Sequence, residues 1–173
     1  MKDNNSTTFI QNPKIDYLFG MYGGKPIPTK QDKFSPANVT QLNEDGTEEA
    51  IRNFYTKNPD SPSVIEFTSQ LREIAYNIFK DGKRIEKPNL IEVIISISVT
   101  EKRFKEVDID NLSKCVLDAL NTVAFEDDSQ VVSLIANKHV HDMKLNALLI
   151  GITKLTNERQ GFGGDIKLYS KKQ

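Results

Sequence analysis

Alternating apolar positions and runs of β-branched residues mark four strands along the chain. From Ile15, apolar side chains recur at every second residue as far as Met21, which predicts a first strand. Residues 89–100 alternate in the same way and are dominated by β-branched side chains, which favour a strand. Residues 129–140 and 145–155 are two further β-rich runs separated by a short polar turn, so we expect them to form an antiparallel hairpin.

Helical spacing of apolar residues appears twice. It predicts one helix near residues 63–80, with Gly82 as its stop signal, and a second helix from about residue 110 to 121. Between the first strand and the first helix, residues 23–36 are rich in Gly and Pro and are expected to be irregular. Residues 37–62 are expected to form a surface loop or a short helix.

Together these elements predict an α+β fold, in which a mixed sheet of about four strands packs against two main helices. A length of 173 residues fits one domain. We place that domain at residues 13–155, after a disordered or frayed start at residues 1–12 and before a tail at residues 156–173. A fold of this kind does not by itself indicate a chemistry.

Composition points to a cytoplasmic protein without membrane association. Hydrophobic residues make up 38% of the chain, and no apolar run is long enough to span a bilayer. The first residues lack the charged-then-apolar layout of a secretion signal. The single cysteine, Cys115, excludes an internal disulfide, and it falls beside an apolar stripe as a small core residue would.

The net charge is close to zero. The chain has 23 Lys and Arg residues against 24 Asp and Glu residues, which gives a formal charge of −1. Proteins that bind duplex DNA are usually basic, because contacts to phosphate dominate their affinity. A nucleic-acid function would therefore require the positive charge to be concentrated on one face of the molecule.

Carboxylates are concentrated around the second predicted helix. On its helical wheel, Asp110, Lys114 and Asp118 share the sector opposite the apolar stripe, and Asp108 comes directly before the helix. The pair Asp127–Asp128 follows the helix. Sequence spacing does not show that this pair approaches Asp108, because the helix carries the chain about 1.5 Å further away with each residue.

Clustered carboxylates repel one another and raise each other's pKa unless a cation lies between them. Their hard oxygen ligands select Mg²⁺ or Mn²⁺ over Zn²⁺. A divalent ion held in this way polarises a phosphodiester and activates a water molecule. Lys114 would then supply positive charge to the phosphate.

From spacing alone, a purely structural function stays open for each of these residues. Asp108 or Asp110 would cap the helix, Lys114 and Asp118 would form a surface ion pair, and Asp127 and Asp128 would be turn residues. A His-x-His pair, His139 and His141, would suit a metal, but it lacks a third ligand of the same kind, so we do not expect zinc.

The string DIDNLSKCVLDALNTVAFEDDSQVV closely resembles the signature of RusA-type Holliday junction resolvases. That signature has Asp-x-Asp-Asn, a lysine one turn later, Asp-Ala-Leu, and a paired Asp-Asp followed by Gln-Val. The matching residues here are Asp108, Asp110, Asn111, Lys114, Asp118-Ala119-Leu120, Asp127-Asp128 and Gln130-Val131. The resemblance covers about residues 62–155, and a weaker similarity is found in the segment GKPIPTKQDKF near the N-terminus.

The resemblance implies a homodimeric, Mg²⁺-dependent endonuclease (Mn²⁺ being the other candidate ion) that acts on branched DNA such as four-way junctions in recombination and repair. Carried over residue by residue, it implies that Asp108, Asp110 and Asp128 bind the metal and are catalytic. Lys114 would be an essential basic residue, and Asp127 a further metal ligand. A dimer suits a four-way junction, because two symmetric sites can nick opposing strands.

Family members often carry an arginine-rich stretch in the N-terminal loop, where this chain has Lys30, Gln31, Asp32 and Lys33. We expect DNA contacts from the residues Lys25, Lys30, Lys33 and Asn111. The altered loop and the low net charge keep open the alternative of a catalytically weak or inactive DNA-binding module on the same fold. A further alternative is a structural or oligomerising domain whose acids are only caps.

Overall fold

The computed structural model of the protein describes residues 15–31, 33–142 and 144–164. The predicted start at residues 1–12 and the second half of the predicted tail, residues 165–173, lie outside the described residues. In chain order the elements are β1 (Tyr17–Tyr22), β2 (Phe34–Pro36), β3 (Val39–Leu42), β4 (Glu48–Ile51), β5 (Tyr55–Lys57), α1 (Pro62–Phe79), β6 (Ile91–Ser98), α2 (Glu101–Glu106), α3 (Ile109–Leu120), a 3₁₀ turn (Asp128–Gln130), β7 (Val131–His139), β8 (Ala147–Lys154) and α4 (Gly161–Gly164).

Four strands form the central sheet in the order β1-β8-β6-β7. Strand β8 runs antiparallel to both β1 and β6, whereas β6 and β7 are parallel. The predicted hairpin between β7 and β8 is therefore wrong, because β6 lies between these two strands. Strand β6 is buried along almost its whole length and pairs on both sides, as a central strand does. A parallel pair needs a crossover connection, and α2 and α3 provide it between β6 and β7.

The core lies between this sheet and helices α1 and α3. Every second residue of β6 (Ile91, Val93, Ile95 and Ile97) is fully buried, which confirms the predicted alternation. The buried residues of α1 recur at helical spacing and are Val64, Phe67, Leu71, Ala75 and Phe79. Burying one side chain of the size of Leu71 contributes about 2 kcal/mol to folding. The predicted α+β fold with a mixed sheet and two main helices is confirmed.

Residues 34–57 form a β-hairpin, so the prediction of a loop or short helix for residues 37–62 is wrong over most of its length. Strand β3 pairs antiparallel with β4, and β2 pairs antiparallel with β5. The turn between β3 and β4 places Gly46 at a φ of 81°, and the carboxylate of Asp45 accepts hydrogen bonds from Thr47. Short strands with exposed polar residues carry little of the periodic signal on which the prediction depended.

Helix α2 was not among the two helices predicted from the sequence. Its N-cap is Thr100, whose hydroxyl accepts a hydrogen bond from the amide of Arg103. None of its residues is buried, and so it has no apolar stripe to reveal it. Within the described ranges, no helix is both long and apolar enough to cross a membrane.

Candidate functional site

Helix α3 has an apolar face and a charged face, as predicted. Its buried residues are Leu112, Ser113, Cys115, Val116, Ala119 and Leu120. Burial raises the pKa of the Cys115 thiol to about 12, which is what a small core residue shows and the reverse of what a nucleophile needs. The charged side of α3 faces a cavity instead of the core.

This cavity, called the α3 cavity below, has a volume of about 490 Å³ and lies between α3 and β7. Leu134 and Ala136 of β7 form its apolar wall. Its polar lining comes from Asp110, Ser113, Lys114, Asp118 and Asp128. Asp128 reaches the cavity because the 3₁₀ turn leads directly into β7, which runs alongside α3. The structure therefore brings Asp110, Lys114 and Asp128 to one cavity from two separate stretches of the chain.

Asp108 occupies the N-cap position of α3, but its side chain makes no capping hydrogen bond. Its backbone carbonyl accepts the first helical bond, from Leu112 at 3.2 Å, while its exposed carboxylate stays outside the lining of the α3 cavity. Asp110 accepts a hydrogen bond from the amide of Asn111 at 2.8 Å. Among the described residues, no three His, Cys, Asp or Glu side chains are grouped closely enough to hold a metal ion.

Asp127 differs from its neighbour Asp128. Its Oδ1 accepts a hydrogen bond from the amide of Ser129 at 2.8 Å, and its Oδ2 lies 3.1 Å from Nζ of Lys87. Asp127 also forms a capping box with Gln130, whose side chain accepts from the Asp127 amide at 3.0 Å. The hydrogen bonds from Ser129, and after them the one from Lys87, hold the pKa of Asp127 well below its usual range. Both carboxylate oxygens of Asp127 thus hold the turn.

Lys30 is held against α3. Its side chain is 17% exposed, and Nζ lies 2.9 Å from Asp118 and 3.1 Å from Asp60. Its backbone amide donates to the carbonyl of Asn111 at 3.2 Å. Burial lowers the pKa of Lys30, but the hydrogen bonds and charges of Asp118 and Asp60 outweigh burial and raise it. The ammonium group of Lys30, which we expect to contact DNA, also neutralises an acid that lines the α3 cavity.

The other predicted DNA contacts lie nearer the surface. Lys25 pairs with Glu66 at 2.7 Å, and its side chain is 78% exposed. Lys33 is exposed next to β2, and Asn111 is half-buried in the first turn of α3. His139 and His141 lie apart from the α3 cavity, beside a larger and mostly apolar groove on the opposite face of the sheet, with ring centroids 6.5 Å apart.

Two basic residues that fix the site were missed by sequence reasoning. Arg72 of α1 donates to the carbonyls of Ala119 and Asn121 at the end of α3. Lys138 of β7 donates to the carbonyl of Phe104 in α2 and to the carbonyl of Val107, the residue directly before Asp108. Each contact joins residues more than thirty positions apart, so no local spacing could have revealed it.

Comparison with known proteins places these residues in a family. The family model described as Endodeoxyribonuclease RusA matches residues 24–152, a stretch that contains every predicted site residue and the whole α3 cavity. No curated protein sequence matches the chain. Because the family model covers well over half of the chain, the protein belongs to the RusA endodeoxyribonuclease family.

Proposed function

We propose that this protein is a divalent-metal-dependent endonuclease that cuts four-way junctions and other branched DNA. Family membership implies Holliday junction endonuclease function. The observation that carries the proposal is the α3 cavity, to which two carboxylates and an ammonium group come from separate parts of the chain: Asp110, Asp128 and Lys114. Phosphodiester hydrolysis needs this combination of metal-binding oxygens and positive charge.

The donor chemistry fits a hard cation such as Mg²⁺ or Mn²⁺. We assign Asp110 and Asp128, which both line the α3 cavity, as ligands. Asp108 lies outside that lining, and we assign it as a third ligand because it matches the family signature and because its carboxylate is not used to cap α3. The bound cation would supply Lewis acidity to the scissile phosphate and lower the pKa of a water molecule. Asp127 is assigned to holding the turn, because both of its oxygens already have partners.

Lys114 is assigned to the phosphate. It projects from α3 one turn after Asp110 and is half-buried in the lining of the α3 cavity, which also contains Asp110 and Asp128. An ammonium group in a partly enclosed site interacts with a phosphate more strongly than one in bulk water does. Lys114 would therefore orient the strand to be cut and stabilise the charge that develops on it.

We further propose a homodimer as the active form. A four-way junction has two-fold symmetry, so two related sites can place matched nicks on opposing strands. Recombination and repair are the processes in which such junctions arise.

The test is cleavage of an end-labelled four-way junction in Mg²⁺ by the wild type and by Asp110→Asn and Asp128→Asn. Each variant is expected to lose roughly 10²–10³-fold in rate, the loss typical when one group that stabilises transition-state charge is removed. Asp127→Asn is the matched control, because asparagine is as good an N-cap as aspartate and should keep the turn and the activity. Equal cleavage by the wild type and Asp110→Asn would refute the assignment.

The absence of a ready three-ligand group among the described residues favours a second candidate, a DNA-binding module with weak or no catalysis. Such a protein would bind the junction but leave it uncut in Mg²⁺ and in Mn²⁺. Measuring binding and cleavage on the same labelled junction separates the two functions.

A further inference from the structure

In the hairpin of residues 34–57, the exposed aromatic residues and the basic residues lie at one end and the acidic residues lie at the other. We call residues 33–37 and 52–58, which contain β2 and β5, the hairpin base. We call residues 39–51, which contain β3 and β4, the hairpin tip. The two parts are continuous, because the amide of Ala37 donates to the carbonyl of Phe54 at 2.8 Å.

One face of the hairpin base is aromatic and exposed. Phe34 lies opposite Lys57, and Pro36 lies opposite Tyr55. Directly opposed residues, and residues two apart on a strand, share a face, so these four side chains lie on the same side. Phe34 is 60% exposed and Tyr55 is 61% exposed. An isolated two-stranded ladder is marginally stable in water, and this one presents its aromatic rings to solvent without a covering layer among the described residues.

The hairpin base is also the positive end of the hairpin. Its charged residues are Lys33, Arg52 and Lys57, and they outnumber the acids even when the preceding Asp32 is counted. The hairpin tip has no cation and carries Glu44, Asp45, Glu48 and Glu49. A chain with a net charge of −1 thus has a local surface that attracts phosphate, next to one that repels it.

The hairpin base is tied to the α3 cavity. The carbonyl of Lys33 accepts a hydrogen bond from the amide of Asn58 at 2.7 Å, which closes the start of the hairpin. Three residues earlier, Lys30 binds Asp118, which lines the α3 cavity. The aromatic face therefore begins four residues after Lys30, which is fixed to α3 at the proposed cleavage site.

From this placement we infer that the face formed by Phe34, Pro36, Tyr55 and Lys57 stacks on bases that are unstacked from their neighbours at the branch point of the DNA. The inference rests on the proposed function and names the part of the substrate that this face contacts. Aromatic side chains stack on any exposed base, and neighbouring cations hold the backbone, which is the usual combination in proteins that bind single strands. A fully paired duplex offers no unstacked base, so the contact distinguishes branched from linear DNA.

The chain has no tryptophan, so Tyr55→Trp introduces a single fluorescent reporter on this face. Tyr76→Trp is the matched control, because Tyr76 is similarly exposed (62%) but lies on α1. With EDTA present to prevent cleavage, a four-way junction should quench the fluorescence of Tyr55→Trp strongly, a linear duplex less, and neither should quench Tyr76→Trp. Binding is followed in parallel by the anisotropy of a labelled junction.

The alanine variants supply the second measurement. Phe34→Ala and Tyr55→Ala should each weaken junction binding about tenfold, within the range expected for one lost base stack, and Tyr76→Ala should leave it unchanged. Unquenched Tyr55→Trp on a bound junction, or Tyr55→Ala binding as tightly as Tyr76→Ala, would overturn the inference while leaving the proposed function intact.

Two further outcomes are also decisive. If the wild type does not bind the junction at all, the proposed function fails and the inference fails with it. If the fluorescence of Tyr55→Trp changes with protein concentration in the absence of DNA, the face is a contact between two copies of the chain, and the inference is overturned.

Discussion

The two ends of helix α3 are constructed in opposite ways. At its end, Arg72 donates to the carbonyls of Ala119 and Asn121 and to the hydroxyl of Thr122, and the turn that follows is closed by the capping box of Asp127 and Gln130. These are the usual means by which a protein satisfies the free groups of a helix end and a turn.

At its start, the acidic side chains of α3 make few contacts of this kind among the described residues. Asp108 occupies the N-cap position without using its carboxylate, and Asp110 bonds only the adjacent amide among the described residues. Asp127, whose two oxygens both have structural partners, and Asp108, whose carboxylate makes no capping bond, thus occur 19 residues apart in one motif. The comparison indicates which acids are available to a cation: those whose oxygens the fold leaves unused.

Arg72→Met should have the largest effect on stability. The substitution removes three hydrogen bonds that a charged group donates, and two carbonyls at the end of α3 lose this donor. The free energy of unfolding should fall by about 2 kcal/mol. Urea denaturation measures this change. Arg84→Met, which removes a 3.3 Å bond to the Thr122 carbonyl and an exposed ion pair with Glu86, is the control and should cost less, because exposed ion pairs contribute little. Similar losses in the two variants would show that Arg72 does not hold this end of the helix.

Asp127→Ala should lower stability by less, and in a pH-dependent manner. The folded state lowers the pKa of Asp127, so its contribution is present above its ordinary pKa of 3.8 and declines as the pH falls below that value. The difference in melting temperature between wild type and variant should therefore be larger at pH 7 than at pH 3. A difference that grows on acidification would contradict the assigned contacts.

Asp108→Ala should have the smallest effect on stability, within about 0.5 kcal/mol, because no capping bond is lost. The same substitution should abolish junction cleavage if Asp108 is a metal ligand. Urea denaturation and the cleavage assay, performed on one preparation, test both statements. A stability loss larger than that of Asp127→Ala would show that Asp108 is a structural cap after all.

Much of the fold was predictable because it depends on periodicity. The alternation in β6 and the helical stripes of α1 and α3 report which faces are buried, and burial dominates these elements. The order of strands was not predictable to the same degree. Strand β8 follows β7 in sequence but pairs with β6 and β1, and short-range patterns contain no information about which distant strand is the neighbour.

The candidate site was predictable in part for a related reason. The wheel of α3 placed Asp110, Lys114 and Asp118 together, and the structure puts them in one cavity. The partners of Lys30 were not predictable, since Asp60 and Asp118 lie far from it in sequence. Nor did sequence distinguish Asp127 from Asp128, because the difference depends on backbone geometry at a single turn.

The pairing of β1 with β8 has a consequence for how the protein is made. On the ribosome, β6, α3 and β7 are synthesised before β8, so the crossover that carries the acids is complete while β1 still lacks its partner. Strand β8 then enters between two strands that are already present and joins them into one sheet. Contacts between such distant segments form slowly, and closure of the sheet by β8 is therefore expected to limit the rate of folding.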